Sequence, residues 1–391
     1  MGQYNATANY ARRWRAVALA AALYGANVTT AAAQENASPI AGRLWADLDL
    51  LDWNVRGDKL PPLVTSGSPP QSTAGALGAP GTTVLFGNTT VNEDWRFGGR
   101  LTAGYFLDAQ HKSSVEVSFF DLASDTTSFI AGSNGSLVLA RPFFDANAGL
   151  QSSELIGYPG FLAGSVNASD TSRFLGGSAL YRLAFANWGP EHVTALIGYR
   201  MLYESDRLSI TNNSIVIGGG GAIPAGSQIV TRDAFNATNY FHGIDLGIAG
   251  SGAQGPWHWE WRALLGLGAD INGAAINGST GIAVGGVGTG FPGGLLALPS
   301  NIGNRSQLGF GVVPELMLKG GYEFAPGWQV LAGYDLVFWT GVQRAGALID
   351  TTVNPNFIPP GTGGTPQRPS AAFSTTSLLA QGFSLGINHD F

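Results

Sequence analysis

Ten segments of this chain alternate apolar with polar or small residues, and the connections between them follow a rule of length. The segments lie near residues 44–53, 95–107, 113–122, 173–186, 192–204, 236–249, 257–269, 307–324, 328–340 and 378–391. Period-2 alternation places one set of side chains on each face of a strand. Short and long connections take turns. The short ones centre on Asp108-Ala109-Gln110, Asn187-Trp188-Gly189-Pro190, Gly252-Ala253-Gln254-Gly255 and Pro326-Gly327. The long ones are 54–94, 123–172, 205–235, 270–306 and 341–377. Each segment reaches or exceeds the ~9–11 residues a tilted strand needs to cross a bilayer. A closed barrel with tight turns at one rim and long loops at the other has this signature. A soluble β-sandwich has no reason to sort its connections that way. An even strand count returns both termini to the short-turn side.

The two faces differ in chemistry. In the fifth segment Val193, Ala195, Ile197, Tyr199, Met201 and Tyr203 share one face, opposed by Thr194, Gly198, Arg200 and Glu204. In the seventh, Trp257, Trp259, Trp261, Ala263, Leu265 and Leu267 oppose His258, Glu260, Arg262, Gly266 and Gly268. The apolar face carries no charge at mid-strand, where a lipid-facing base would cost about 2–4 kcal/mol. Pro314 falls on the apolar face of the eighth segment and cannot donate to a ladder. A local bulge, or a misplaced strand, is expected there.

Composition closes off other routes. Only 12% of the 391 residues are charged while 45% are apolar; ordinary globular domains are about 25% charged. The longest uncharged stretch, between Asp270 and Arg305, holds Gly285-Gly286, Gly293-Gly294, Pro292 and Pro299, which cannot sustain a helix in lipid. If the chain crosses a membrane, it does so as a closed barrel, which leaves no backbone group unpaired. A net charge of −6 argues against nucleic acid. The absence of cysteine removes disulfides, thiolate metal sites and a cysteine nucleophile.

Residues 1–33 read as a secretory signal peptide: Arg12, Arg13 and Arg15, a short apolar core over 16–26, and Ala31-Ala32-Ala33 as a small-residue cleavage site. Removing them leaves 17 basic against 26 acidic residues, a net charge of −9. Residues 34–391 then form a single domain. Aromatic residues gather beside the short turns (Trp188, Trp257, Trp259, Tyr322, Trp328), as in an interfacial girdle. The chain ends with Phe383, Leu385, Ile387 and the terminal Phe391 on one parity. This resembles the C-terminal signal by which outer-membrane barrels are recognised. Phe391 is the candidate assembly signal, and the barrel assembly machinery and outer-membrane lipid are the expected partners.

Several stretches resemble the putative beta-barrel porin family seven, a bacterial outer-membrane family of poorly defined function. They are Leu60-Pro61-Pro62-Leu63-Val64-Thr65, the run from Leu77 to Gly87, Gly98-Gly99-Arg100-Leu101 with Gly104-Tyr105-Phe106-Leu107-Asp108, and Arg141-Pro142-Phe143-Phe144. The resemblance covers most of the chain after residue 44 and is most specific over 44–145. It implies a porin-like barrel in the bacterial outer membrane and transfers no catalytic residue.

The inward parity collects Asp47, Asp49, Arg100, Glu116, Arg182, Arg200, Glu204, Glu260, Arg262, Glu315, Lys319 and Asp335. Two readings stand. These groups line a pore that selects ions, or they form a ladder of mutually paired charges that fills a narrow lumen. Arg200 and Glu204 are candidate members of such a ladder. Catalysis is not expected. His111, His192 and His258 sit by short turns, His389 lies at the short-turn end of the last strand, and His242 has Asp245 on the opposite parity. No metal or cofactor is expected, since neither paired histidines nor acidic ligand spacing occurs. The glycine runs at 218–221 and 285–290 lack a P-loop lysine and read as loop.

The long connections are unusually apolar. Leu137-Val138-Leu139, Phe143-Phe144, Tyr158-Pro159-Gly160-Phe161-Leu162, Ile215-Val216-Ile217 and Leu295-Leu296-Ala297-Leu298 all lie in them. Either they pack together as a lid or plug, or they form a partner surface. The expectation is an all-β, transmembrane, antiparallel up-and-down β-barrel of about ten strands with long extracellular loops. It is porin-like, with a narrow or loop-restricted lumen; the alternative is a non-conducting barrel that displays its loops for adhesion or envelope structure.

Overall fold

A computed structural model describes residues 42–188, 191–218, 223–361 and 363–391. The expected signal peptide, part of the second short turn and most of the 218–221 glycine run lie outside the described residues. Strand β1 (Leu44–Val55) leads into a connection carrying β2 (Asp58–Leu60), β3 (Val64–Gly67), β4 (Thr83–Phe86) and β5 (Thr89–Val91). β6 (Trp95–Phe106) and β7 (Ser113–Leu122) form a hairpin, and β8 (Asp125–Ser133) continues the line of β7. A second connection holds β9 (Val138–Asp145) and β10 (Leu150–Gly157). Four long strands follow: β11 (Leu162–Trp188), β12 (Glu191–Val216), β13 (Gln228–Gln254) and β14 (Trp257–Val284). After β15 (Val287–Pro292) come β16 (Gly303–Ala325) and β17 (Trp328–Gln343), then β18 (Thr352–Val353) and the closing β19 (Thr375–Asp390). Among the described residues no helix is long and apolar enough to cross a membrane.

The pairings make a twelve-stranded antiparallel sheet that closes on itself. Its circuit runs β1, β6, β7, β11, β12, β13, β14, β16, β17, β19 and back to β1, while β8 and β15 pair with β11 and β14 off the circuit. Closure is made by eleven paired residues of β1 and β19, from Trp45↔Asp390 to Val55↔Ala380. Phe391 adds a hydrogen bond from its N–H to the Leu44 carbonyl (2.9 Å). Closure matters because an open ring leaves two rows of unpaired backbone groups. The first short turn is set by the Asp108 carboxylate, which accepts from the N–H groups of Gln110, Lys112 and Ser113. These bonds, the strongest being from the Ser113 hydroxyl, hold its pKa down to about 2.

Pro314 does not produce a bulge. Its pairing with Leu265 keeps the β14–β16 register unbroken. On the other side the β16–β17 ladder begins only at Glu315, past the proline. There the Thr340 hydroxyl takes the place of a ladder acceptor, bonded by the Val312 N–H at 2.9 Å. An N–H-less residue sits where its missing donor faces no partner strand.

Three expected connections are largely strand. Residues 205–216, 228–235 and 270–284, with 125–133 and 162–172, extend the ring beyond the ten expected segments. The cause is an inversion of parity. On β12 the exposed side is apolar at Ile197 and Tyr199, then turns polar at Arg207 and Ser209. The buried side turns from Arg200 to Leu208 and Ile210. β13 behaves alike: Ile244, Leu246 and Ile248 are exposed below, while Phe235 and Ala237 are buried above. The alternation is continuous, but the face that carries the apolar residues switches.

The resulting upper wall is filled from within. β10, β9, β3 and β4 form an inner sheet with β18 added to β9, so pieces of the first, second and fifth connections pair with one another. Leu60, Leu63, Val64, Leu139, Phe143, Leu295, Leu296 and Leu298 pack there against Val166, Ala168, Leu208, Ile210, Phe235 and Ile276 of the wall. Most of the apolar runs in the connections are thus buried as a plug. Leu137, Ile215 and Ile217 remain exposed.

Candidate functional site

The interior is stratified, and the strata can be followed along one strand. The buried parity of β12 presents Arg200, Leu202, Glu204 and Asp206, then Leu208 and Ile210. β13 answers with Asp245, Phe241, Asn239, then Ala237 and Phe235. On these two strands charged, apolar, polar and again apolar positions succeed one another in the same order, because the antiparallel register sets them side by side.

The lowest stratum is charged, and it is paired across the lumen rather than only between neighbours. Arg100 on β6 donates to Asp49 on β1 (2.7 Å) and to Asp335 on β17 (2.7 Å). Lys319 on β16 reaches Asp49 (2.8 Å) and Asp47. Arg262 on β14 makes a two-toothed contact with Glu116 on β7, 2.7 and 3.1 Å, four strands round the circuit. Arg182 joins the same Glu116 and lies 3.7 Å from Glu260, which is 3.4 Å from Arg262. Arg200 binds Asp245 (2.8 Å) and Glu315. These contacts satisfy the geometry that makes buried charge tolerable.

Eleven of the twelve residues expected to face the lumen meet in this stratum, and Glu204 does not. It lies four positions along β12 from Arg200, roughly 13 Å at ~3.3 Å per residue. The partners of Glu204 are Asn239 and Arg344 instead, so the two candidate ladder members Arg200 and Glu204 belong to different levels. Asp245 is the member the sequence reading missed. Its position between the outward Ile244 and Leu246 is the signal that identifies it. A cavity of about 50 Å³ survives between the charges. Towards the short-turn rim the lumen widens into a chamber of about 1,040 Å³, bordered by Trp45, His111, His192, Arg182, His258 and Lys319.

Above the charges lies an apolar stratum: Trp53, Phe120, Phe174, Leu202, Phe241, Val313 and Trp339 close over the lumen. Trp53 and Phe174 each pack on Phe120, with ring centroids 5.3 Å apart. Asp270 enters this level and accepts the Trp339 indole N–H at 2.8 Å.

A second polar stratum follows, above the outer apolar band. Arg344 clasps Asp206 through Nε and Nη2 and lies 3.7 Å from Glu204. Asp58 accepts the Gly346 N–H at 2.6 Å. Asp170 accepts from the Asn92 amide at 2.8 Å. Arg96 lies 4.0 Å from Asp125 and donates to the Asn92 carbonyl at 2.8 Å. Burial, then the neighbouring Asp206 carboxylate, push Asp58 up to about 6 and Asp170 up to about 8. The top of the plug is tied by Asp233. It accepts from the N–H groups of Leu295 (3.1 Å), Leu296 (3.2 Å) and Ala297 (2.9 Å) and binds Arg141 at 2.6 Å.

The remaining candidates are peripheral. Tyr199 and His242 are both exposed on the outer face, 2.5 Å apart through Oη and Nδ1, while Asp245 points inward to Arg200. Trp257 packs edge-on to Tyr322 (5.1 Å) and Trp328 stacks on His389 (4.1 Å) beside the short turns. The side chain of Trp188 lies outside the described residues. Phe391 is half exposed and packs edge-on to His389 at 4.5 Å.

A closed antiparallel ring with an apolar outer band and a charged interior defines an outer-membrane β-barrel. The chain belongs to the family described as putative beta barrel porin-7, whose model matches residues 45–391. No curated protein matches the sequence. Among solved structures it is similar to the outer-membrane protease OmpT from Escherichia coli, at 10% identity and a TM-score of 0.36, covering 91% of this chain and 99% of that one. It is also similar to a Pseudomonas aeruginosa FadL homologue, at 10% identity and a TM-score of 0.24, with 89% and 90% covered. A third is an anion-selective porin from Comamonas acidovorans, at 10% identity and a TM-score of 0.19, with 89% and 98% covered. Values this low carry no argument about activity.

Proposed function

We propose that the chain is a porin-like barrel of the bacterial outer membrane. Its ten circuit strands cross the bilayer with the long connections outside, and its lumen is held shut at rest. The observation that carries this reading is the stratified interior. The charged level leaves about 50 Å³, room for only a few waters at ~10–15 Å³ each, and an apolar level closes over it. Burial of the plug against the tall wall adds a second restriction. The reading is non-enzymatic: His242 is turned outward beside Tyr199, away from Asp245. We read Phe391 as the assembly signal, presented at the closing seam to the insertion machinery.

The second reading is a barrel that conducts nothing and displays its extracellular part. It is favoured by the height of β11–β14, whose outer face becomes polar (Arg207, Ser209, Asn236) above the apolar band. Single-channel recording of the refolded full chain in a planar bilayer tests both. A shut barrel with a latent path gives long silence broken by brief openings. A persistently open step overturns the restriction. Complete silence at every voltage leaves the display reading.

A further inference from the structure

The polar stratum beneath the plug holds an imbalance of charge. Asp58 on β2, Asp125 on β8, Asp170 on β11, and Glu204 and Asp206 on β12 face only two guanidinium groups, Arg96 on β6 and Arg344 after β17. Six of these seven groups are buried, and Asp125 nearly so. The bases flanking these acids in sequence, Arg56, Lys59, Arg173 and Arg207, are all exposed. Five ionised carboxylates against two bases would leave buried, uncompensated negative charge, which is expensive in so dry a place. Asp170 makes the point most clearly. One of its oxygens accepts from Asn92, and the other, Oδ1, accepts no hydrogen bond among the described residues. A proton on that oxygen removes the repulsion from Asp206 and Asp58.

The position of the cluster gives it mechanical consequence. Asp58 belongs to the first long connection and bonds Gly346 of the fifth. Arg344, also of the fifth, grips Asp206 on the wall and donates to the Arg56 carbonyl of the first at 3.0 Å. Asn92, at the end of the first connection, is bonded to Asp170 on the wall. The cluster is the joint between two plug segments and the β11–β12 wall.

We propose that this cluster is a proton-operated latch: protonated, it holds the first and fifth connections against the β11–β12 wall, and ionised, it releases them while the ring below stays closed. The sign follows from geometry and linkage together. Asp58, Asp170 and Glu204 bind protons more tightly in the latched state than when solvated, because burial and the neighbouring Asp206 carboxylate disfavour their charged forms. Latching is therefore full in acid and is lost as pH rises from the ordinary carboxylate range towards the raised value of Asp170, about 8. Each acid that must shed its proton weakens the latch by about tenfold per pH unit within that window.

Hydrogen–deuterium exchange of the detergent-solubilised full chain between pH 5 and 9 tests this, with rates normalised for intrinsic chemistry. Protection of residues 56–94 and 341–361 is expected to fall by about tenfold or more per pH unit between about 6 and 8. The ring strands β12–β14 are the internal reference and keep their protection. Asp170→Asn is expected to flatten the profile and hold the connections protected at pH 8. Asp58→Asn, which keeps an acceptor for Gly346, reduces the slope if the first variant does not fold. Protection that does not change with pH in the parent, or an unchanged slope in the folded variants, overturns the latch. The readout is loop opening and not ion flow, so its failure is distinct from failure of the porin-like reading.

Discussion

The lower and upper halves of this barrel are built on the same strands and solve opposite problems. Below, lipid surrounds the ring, so apolar residues such as Ile244, Leu246 and Leu265 face out, and the polar parity is left inside. Most charges there are buried and are paired across the lumen, Arg262 to Glu116 and Arg100 to Asp335. Above, water surrounds the ring, so Arg207 and Ser209 face out and Leu208 and Ile210 face in. The interior is then apolar and must be filled, and the long connections fill it with Leu63, Phe143, Leu296 and Leu298. The environment outside dictates the chemistry inside, because each strand has only two faces.

If this is right, the two halves fail differently. The largest loss is expected from Arg200→Ala. It strands Asp245 and Glu315 together at the charged level, and breaking a buried pair costs about 3–5 kcal/mol. Heat modifiability on a detergent gel and the denaturant midpoint report it, and both should fall sharply. A variant as stable as the parent means that water reaches these groups, and the comparison breaks at its lower half.

A smaller and more local loss is expected from Leu296→Ala. This side chain is fully buried in the plug, and truncation of a core leucine costs about 2–5 kcal/mol. The cost falls on plug docking and not on ring closure, because the ring's own ladders are untouched. Exchange protection in the fourth connection should drop while the ring melts within a few degrees of the parent. Loss of the whole barrel instead would mean that plug and ring fold as one unit.

This division also explains what was legible in the sequence. The ten lower segments announce themselves because apolar residues repeat on one parity, as from Val193 to Tyr203. The upper extensions hide because that parity inverts between Tyr203 and Leu208. A continuous strand then looks like a strand that has ended. The charged lumen was legible residue by residue, since Arg100, Glu116 and Arg262 oppose apolar neighbours. Its wiring was not. Arg200 shares a face with Glu204, yet its partners are Asp245 one strand away and Glu315 three strands round the circuit. Which charges meet is decided by ring closure, a property of no single segment. The plug was legible only as one of two readings of the apolar runs, a lid or a partner surface, and its pairing of β3, β9 and β18 depends on contacts between connections distant in the chain.

The finest probe of the comparison is an ion pair at the boundary itself. Arg173 and Asp121 lie 3.0 Å apart on the outer face, where the apolar band ends, with side chains 48% and 42% exposed. The chemistry is the same guanidinium and carboxylate found inside the lumen, and only burial differs. Water solvates either partner when the other is removed, so an exposed pair contributes about 0.2–1 kcal/mol. Arg173→Ala is therefore expected to shift the denaturant midpoint barely, and raised salt should mask the difference between variant and parent. The interior variant Arg200→Ala should keep its large deficit at high salt, because its stranded carboxylates are shielded from the solvent ions. A deficit for Arg173→Ala as large as that of Arg200→Ala would show that burial is not what separates the two. The inward and outward faces would then have to be distinguished by something other than the medium each one meets.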